Sequence, residues 1–274
     1  MKYSDDPQLK PKWLAAGGRI RRTGIYWLPN AITTVALFFG FYAIVQAMNN
    51  NFKPAAMGIL AAMVFDALDG RVARLTRTTS PFGAEYDSLS DMTAFGVAPA
   101  LVIYEWALKG MGRLGLVAAF VYCACAALRL ARFNTNIGVI DKRFFQGLPS
   151  PAAAGLIAGF VWTMETFQLE PKRLYEMRWL AWGLAVFAGL TMVSNVRFYS
   201  GKDINLRKSV PFGVVVMIAL VVVVMSQIVN NIPELLFSIF ALYIASGYVL
   251  WAVERIRKRR VPKPPPPAMP PDGL

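Results

Sequence analysis

Residues 210–228 read VPFGVVVMIALVVVVMSQI, and residues 235–253 read LLFSIFALYIASGYVLWAV. Neither stretch holds a charged side chain, and as a helix each is long enough to cross about 30 Å of hydrocarbon. The rest of the chain agrees. Of its 274 residues, 56% are apolar and only 16% charged, against about a quarter charged in a soluble domain. This composition excludes a soluble enzyme. The cysteine pattern excludes a disulfide scaffold, because Cys123 and Cys125 sit two positions apart inside an apolar run. The absence of histidine removes histidine bases, histidine–zinc sites and histidine triads. Acid–base chemistry is left to Asp, Glu, Lys, Tyr and Cys.

Working outward from these runs, the hydropathy predicts an all-α, polytopic membrane protein. Eight helices are expected over residues 28–48, 54–75, 88–108, 114–132, 150–168, 178–197, 210–228 and 234–254. Pro29, Pro54, Pro211 and Pro233 fall at or near the expected helix starts, where a missing N–H costs little. The net charge of +13 does not point to nucleic acid, because Lys and Arg cluster in the short loops between apolar runs. With the N-terminus inside, 23 of the 29 Lys and Arg residues lie on the inner side. That asymmetry predicts an inner (cytoplasmic) membrane protein with both termini cytoplasmic.

Three regions follow from this reading: a basic cytoplasmic or interfacial arm over 1–27, a transmembrane domain over 28–254, and a basic, proline-rich tail over 255–274. No cleavable signal peptide is expected, since the first 24 residues are polar and basic. The arm interleaves Trp13, Leu14, Ile20, Ile25 and Tyr26 with basic residues, as suits an anionic lipid surface. The tail, with Pro264–Pro267 and Pro270–Pro271, is expected to be disordered. Gly155 and Gly159 form a small-xxx-small pair, expected to pack within the chain ahead of any homodimer contact.

Four carboxylates fall within 26 positions, at the predicted cytoplasmic ends of the second and third helices: Asp66, Asp69, Asp87 and Asp91. Asp66 and Asp69 are spaced i, i+3, and Asp87 and Asp91 i, i+4, so each pair shares one helix face. A short turn joins the two helices, and the acidic faces can converge. Four such charges near lipid would repel one another into taking protons unless positive charge is supplied. An all-oxygen donor set without His or Cys suits Mg²⁺ or Mn²⁺. Two ions about 3.5–4 Å apart would neutralise the cluster and clamp a phosphoryl group. The alternative is a structural ion network with Arg71, Arg74 and Arg77. Gly70 and Gly83 would keep the same face open to a base or a diphosphate.

The spacing D-x2-D-G-x2-A-R-x8-G-x3-D-x3-D, met here by Asp66, Asp69, Gly70, Ala73, Arg74, Gly83, Asp87 and Asp91, resembles the signature of the CDP-alcohol phosphotransferase family. That resemblance implies a membrane enzyme that moves a phosphoalcohol from a CDP-linked donor to an acceptor hydroxyl and releases CMP. It also implies a two-metal site on the four aspartates, with Asp91 as the base. Gly70, Ala73, Arg74, Gly83 and Ser80 would line the nucleotide site. Pro29-Asn30-Ala31-Ile32-Thr33 is similar to the family's PN-x2-T element, which would bring Asn30 and Thr33 to the same nucleotide. As a purely local feature, the same element reads as a helix start capped by Asn30.

Residues 127–134 (ALRLARFN) and 145–151 (FQGLPSP) are similar to segments that mark bacterial members of the family whose acceptor is L-serine, with CDP-diacylglycerol as donor. Arg129, Arg132 and Arg143, in the basic stretch between the fourth and fifth helices, are candidates for the serine carboxylate. Arg132 comes first and Arg129 second, since a guanidinium matches a carboxylate with two bonds. Asn134 and Gln146 are candidates for the amino group or hydroxyl. An ordinary positive-inside cluster is the competing reading of these arginines. Glycerol 3-phosphate or an inositol phosphate is the alternative acceptor. A divalent-cation transporter is the alternative of another class, disfavoured because its acids should lie near mid-bilayer.

Overall fold

The computed structural model describes residues 12–76, 78, 80–135, 144–167, 171–199 and 232–260. Its helices are α1 (Lys12–Met48), α2 (Phe52–Thr76), α3 (Pro81–Asp91), α4 (Ala98–Ile103), α5 (Arg113–Thr135), α6 (Ser150–Thr166), α7 (Pro171–Val193) and α8 (Ile232–Arg260). Two three-residue strands, β1 (Phe144–Gln146) and β2 (Arg197–Tyr199), pair antiparallel with Phe145 opposite Phe198. The molecule is helical throughout apart from this ribbon. Among the described residues, three segments are long and apolar enough to cross a membrane: Trp27–Met48, Arg113–Thr135 and Ile232–Val253. The predicted seventh helix, 210–228, lies outside the described residues.

Small residues set the packing. α1 and α2 lie along each other through Ala36, Ala43 and Ala47 on one side and Ala55, Ala56, Ile59 and Ala62 on the other, all buried. Gly58 lets the Phe39 carbonyl approach, and Gly40 lets the backbone of Ala94 approach. Such close approach is how helices gain contact where burial in lipid offers no hydrophobic drive. α6 and α8 pack similarly: Gly155 faces the ring of Phe240, and Gly159 faces the backbone of Phe237. The small-xxx-small pair is therefore used within the chain, as expected.

Three local features differ from the sequence reading. Pro29 does not begin a helix; α1 runs through it from Lys12, so the expected arm is continuous with the first span and Asn30 caps nothing. The third predicted helix is not one regular α-helix. Wider π turns occupy Met92–Val97 and Tyr104–Leu108 on either side of α4. A π turn changes which side chains share a face, which periodicity alone does not reveal. Finally, α8 continues to Arg260, six residues past its predicted end.

The β1–β2 ribbon docks on the C-terminal end of α7. The Gly147 N–H donates to the Val196 carbonyl at 2.9 Å, and the Leu148 N–H to the Thr191 carbonyl at 3.1 Å. Gly147 has φ +80, and a Cβ there would lie 2.1 Å from the Met192 carbonyl oxygen. Gly147→Ala therefore combines a left-handed backbone with a backbone clash, and is expected to destabilise by about 1–3 kcal/mol or more. Gly183, whose added Cβ would meet nothing within 4 Å, is the control. Melting curves in detergent should show a clear drop for Gly147→Ala and none for Gly183→Ala.

Candidate active site

α2 ends at Thr76, and the chain reverses through a turn that Ser80 closes. Ser80 has an extended backbone (φ −133, ψ 154), and its Oγ accepts from the Gly83 N–H at 3.0 Å. Pro81 follows at the first helical position, where its fixed φ suits a helix start. This tight reversal places α3 beside α2 with the acidic faces together. α3 is also held to α1: Ser90 Oγ donates to the Thr33 carbonyl at 3.3 Å, and the hydroxyls of Thr34 and Tyr86 lie 2.8 Å apart.

Asp66, Asp69 and Asp87 converge, each offering one carboxylate oxygen within 4.8 Å of the others. Asp69 is only 4% exposed, and its Oδ2 is buried without a hydrogen-bond partner. A buried anionic oxygen left unpaired costs several kcal/mol unless a cation meets it. Asp87 precedes the segment read as the third span. Burial first, then the neighbouring Asp69 and Asp66, push its carboxyl up to about 7. The orphaned oxygen, the all-carboxylate donor set and the mutual repulsion fit a hard divalent cation. Asp91 is not part of the trio. It stands beside Asp66 and feels the guanidinium of Arg129.

A cavity of about 210 Å³ opens from Asp69 and Asp87 and is lined by Pro29, Asn30, Thr33, Gly70, Ala73, Arg74, Thr78, Ser80, Gly83 and Ala84. All seven residues expected at the nucleotide are on its wall. A Cβ on Gly70 would meet nothing nearer than the Arg74 guanidinium at 3.9 Å, so the glycine leaves the floor open. At Gly83 a Cβ would come within 3.3 Å of Asn30 Oδ1 and 3.2 Å of Ser80 Oγ. Gly83 thus lets α1 and α3 close on each other. Thr33 is buried, and its hydroxyl donates to the Pro29 carbonyl at 3.1 Å.

The residues expected at the acceptor separate into two groups. Arg132 is committed to the ribbon: Nη1 donates to the Val193 carbonyl at 3.2 Å, and Nη2 to Gln146 Oε1 and Asn195 Oδ1, both at 2.7 Å. Asn134 donates to Ser88 Oγ at 3.0 Å, tying α5 to α3. Arg129 faces the carboxylates instead. Its Nη1 donates to Ser150 Oγ at 2.8 Å, and its Nε is buried without a partner. Arg143 lies outside the described residues. Sequence reasoning missed Ser150, although it stands within the FQGLPSP segment. It also missed the ribbon, whose three-residue strands are too short to show periodicity.

Comparison with known proteins agrees with the carboxylate geometry. Residues 26–193 match the family model described as CDP-alcohol phosphatidyltransferase. The chain belongs to that family. Its curated relatives include the CDP-diacylglycerol–serine O-phosphatidyltransferase of Helicobacter pylori strain J99, 35% identical over 229 residues, or 83% of this chain and 92% of that protein. The identically named protein of Methanocaldococcus jannaschii is 40% identical over 140 residues, 51% of this chain and 61% of its own. The one from Saccharomyces cerevisiae is 38% identical over 145 residues, 48% of this chain and 52% of its own. The matched region contains both π turns and every residue that lines the cavity.

Proposed function

We propose that this family member transfers the phosphatidyl group of CDP-diacylglycerol to the hydroxyl of L-serine, giving phosphatidylserine and CMP. One observation carries the reading: a trio of converging carboxylates opens on one side to the cavity lined by Arg74 and Asn30, and meets Asp91 and Arg129 on the other. The names of the Helicobacter, Methanocaldococcus and Saccharomyces relatives support the donor and the acceptor.

Asp66, Asp69 and Asp87 would hold the divalent metal, Mg²⁺ or Mn²⁺. When bound, such a metal offsets negative charge on a diphosphate and on departing CMP. Asn30, Thr33, Gly70, Ala73, Arg74, Ser80 and Gly83 form the donor wall, with Arg74 supplying charge to the nucleotide. Asp91 takes the proton of the serine hydroxyl as its oxygen bonds to the phosphorus that carries diacylglycerol. The bond from that phosphorus to CMP breaks, and CMP leaves with the electron pair. Arg129 is the better placed guanidinium for the serine carboxylate, since Arg132 already spends its two Nη groups on the ribbon. Arg132, Gln146 and Asn134 then shape the acceptor side from behind, with Arg143 as a further candidate there.

In the cell the reading places the carboxylates at the cytoplasmic ends of eight spans, within a transmembrane domain over 28–254 and with both termini in the cytoplasm. The inward bias of Lys and Arg supports this orientation.

An acceptor panel tests the reaction. Purified protein receives CDP-diacylglycerol and Mn²⁺ or Mg²⁺ with serine, glycerol 3-phosphate or an inositol phosphate, and CMP is measured. Release stimulated by serine alone is expected, and stimulation by another acceptor alone would overturn the assignment. Arg129→Gln should raise the KM for serine roughly tenfold to a hundredfold, the loss of a charge-assisted bond of about 1.5–3 kcal/mol. Serinamide lacks the carboxylate and should be affected far less. An equal loss on both acceptors would mean that Arg129 serves the fold.

A further inference from the structure

α8 lies outside the residues that match the family model, yet several contacts fix it against the acceptor side. Phe198 of β2 is fully buried, with its ring centroid 5.8 Å from that of Tyr243 and 6.4 Å from that of Tyr248. Gly247 makes room for it, since a Cβ there would lie 2.2 Å from the Phe198 ring. The hydroxyls of Tyr248 and Thr191 are 2.8 Å apart, which pins α8 to α7. Phe237 and Phe240 fill the groove at Gly159 and Gly155. The helix therefore has little freedom to rotate, and the position of Tyr243 is set by four neighbouring residues. The Tyr243 phenol is an electrostatic neighbour of the Arg129 guanidinium, on the side away from Asp91's own helix.

Arg129 needs such a neighbour. It enters the site on a long side chain, it has one printed bond, to Ser150, and its Nε is buried without a partner. Left to itself the guanidinium would be drawn to Asp91, the strongest nearby opposite charge, and would compete with the proton that Asp91 has to accept. A phenol oxygen on the opposite flank offers a second attraction without adding a charge. It keeps the planar fork turned toward the acceptor instead of folded onto the base.

We infer that Tyr243 is a positioning residue for the acceptor, holding Arg129 in the orientation that receives a carboxylate, and that α8 thereby contributes acceptor selectivity from outside the shared family core. This inference rests on the serine-transfer reading above.

The test is Tyr243→Phe, which keeps the ring against Phe198 and removes only the hydroxyl. The KM for serine should rise about two- to tenfold, as for the loss of one neutral hydrogen bond. The KM for CDP-diacylglycerol and the melting temperature should stay as in the wild type, and serinamide should show no comparable loss. Tyr248→Phe removes a hydroxyl from the same helix beside the same Phe198 and should leave the serine KM unchanged. An unchanged serine KM in Tyr243→Phe, or an equal rise for serine and serinamide, overturns the inference while leaving serine transfer in place. Wild-type protein that releases no CMP with serine overturns the underlying reading, and this inference with it.

Discussion

Asp69→Asn is expected to reduce CMP release at least about a hundredfold, the scale of removing one group that stabilises developing charge. Asp69 is the most buried member of the trio, and its Oδ2 has no partner within the protein. The asparagine keeps the shape and removes the charge, so the lesion falls on metal binding and not on packing. Two melting curves make that distinction. Without metal, the variant should melt at or above the wild type, because one buried like charge has been removed from beside Asp66 and Asp87. With Mn²⁺ the wild type should gain stability by mass action and the variant should gain little. Near-normal turnover of Asp69→Asn at low metal concentration would show that the metal lies elsewhere.

Asp91→Asn should be just as damaging to the rate but should leave metal binding intact. Asp91 stands outside the converging trio, between Asp66 and Arg129. If it accepts the proton of the acceptor hydroxyl, its loss lowers kcat by about 10²–10⁴. The Mn²⁺ affinity and the KM for CDP-diacylglycerol should then change little. Titration of Mn²⁺ into Asp69→Asn and Asp91→Asn, side by side, separates ligand from base. A loss of Mn²⁺ affinity as large in Asp91→Asn as in Asp69→Asn would make Asp91 a ligand and send the search for the base elsewhere.

The donor half of the site could be read before any coordinates, and the acceptor half could not. Asp66, Asp69, Gly70, Arg74, Gly83 and Asp87 lie on two helices joined by a tight turn. Helical spacing therefore carried them to one cleft with no knowledge of the remaining chain. Arg129 and Arg132 are one helical turn apart and chemically alike, and nothing in their spacing says which of them faces the carboxylates. Ser150, Val193, Asn195 and Gln146 decide it, from three other stretches of chain. The same limit explains the fold. Apolar runs located the long helices, but the π turns after Asp91 and the ribbon at Gly147 depend on packing partners distant in sequence. Pro29 misled for a related reason: a proline forbids one hydrogen bond, and a helix of 37 residues tolerates that loss.

The groove of α6 carries a cost in time. Gly155 and Gly159 leave the ribosome roughly 80 residues before Phe240 and Phe237, the side chains that fill their face. At about 5–20 residues per second, α6 waits about 4–16 s beside a vacant partner position. Lipid tails or another protein's helix can occupy that face in the interval. Arrival of α8 must therefore displace an occupant, so assembly of the acceptor wall is the last event in the biogenesis of this chain and the one most exposed to competition.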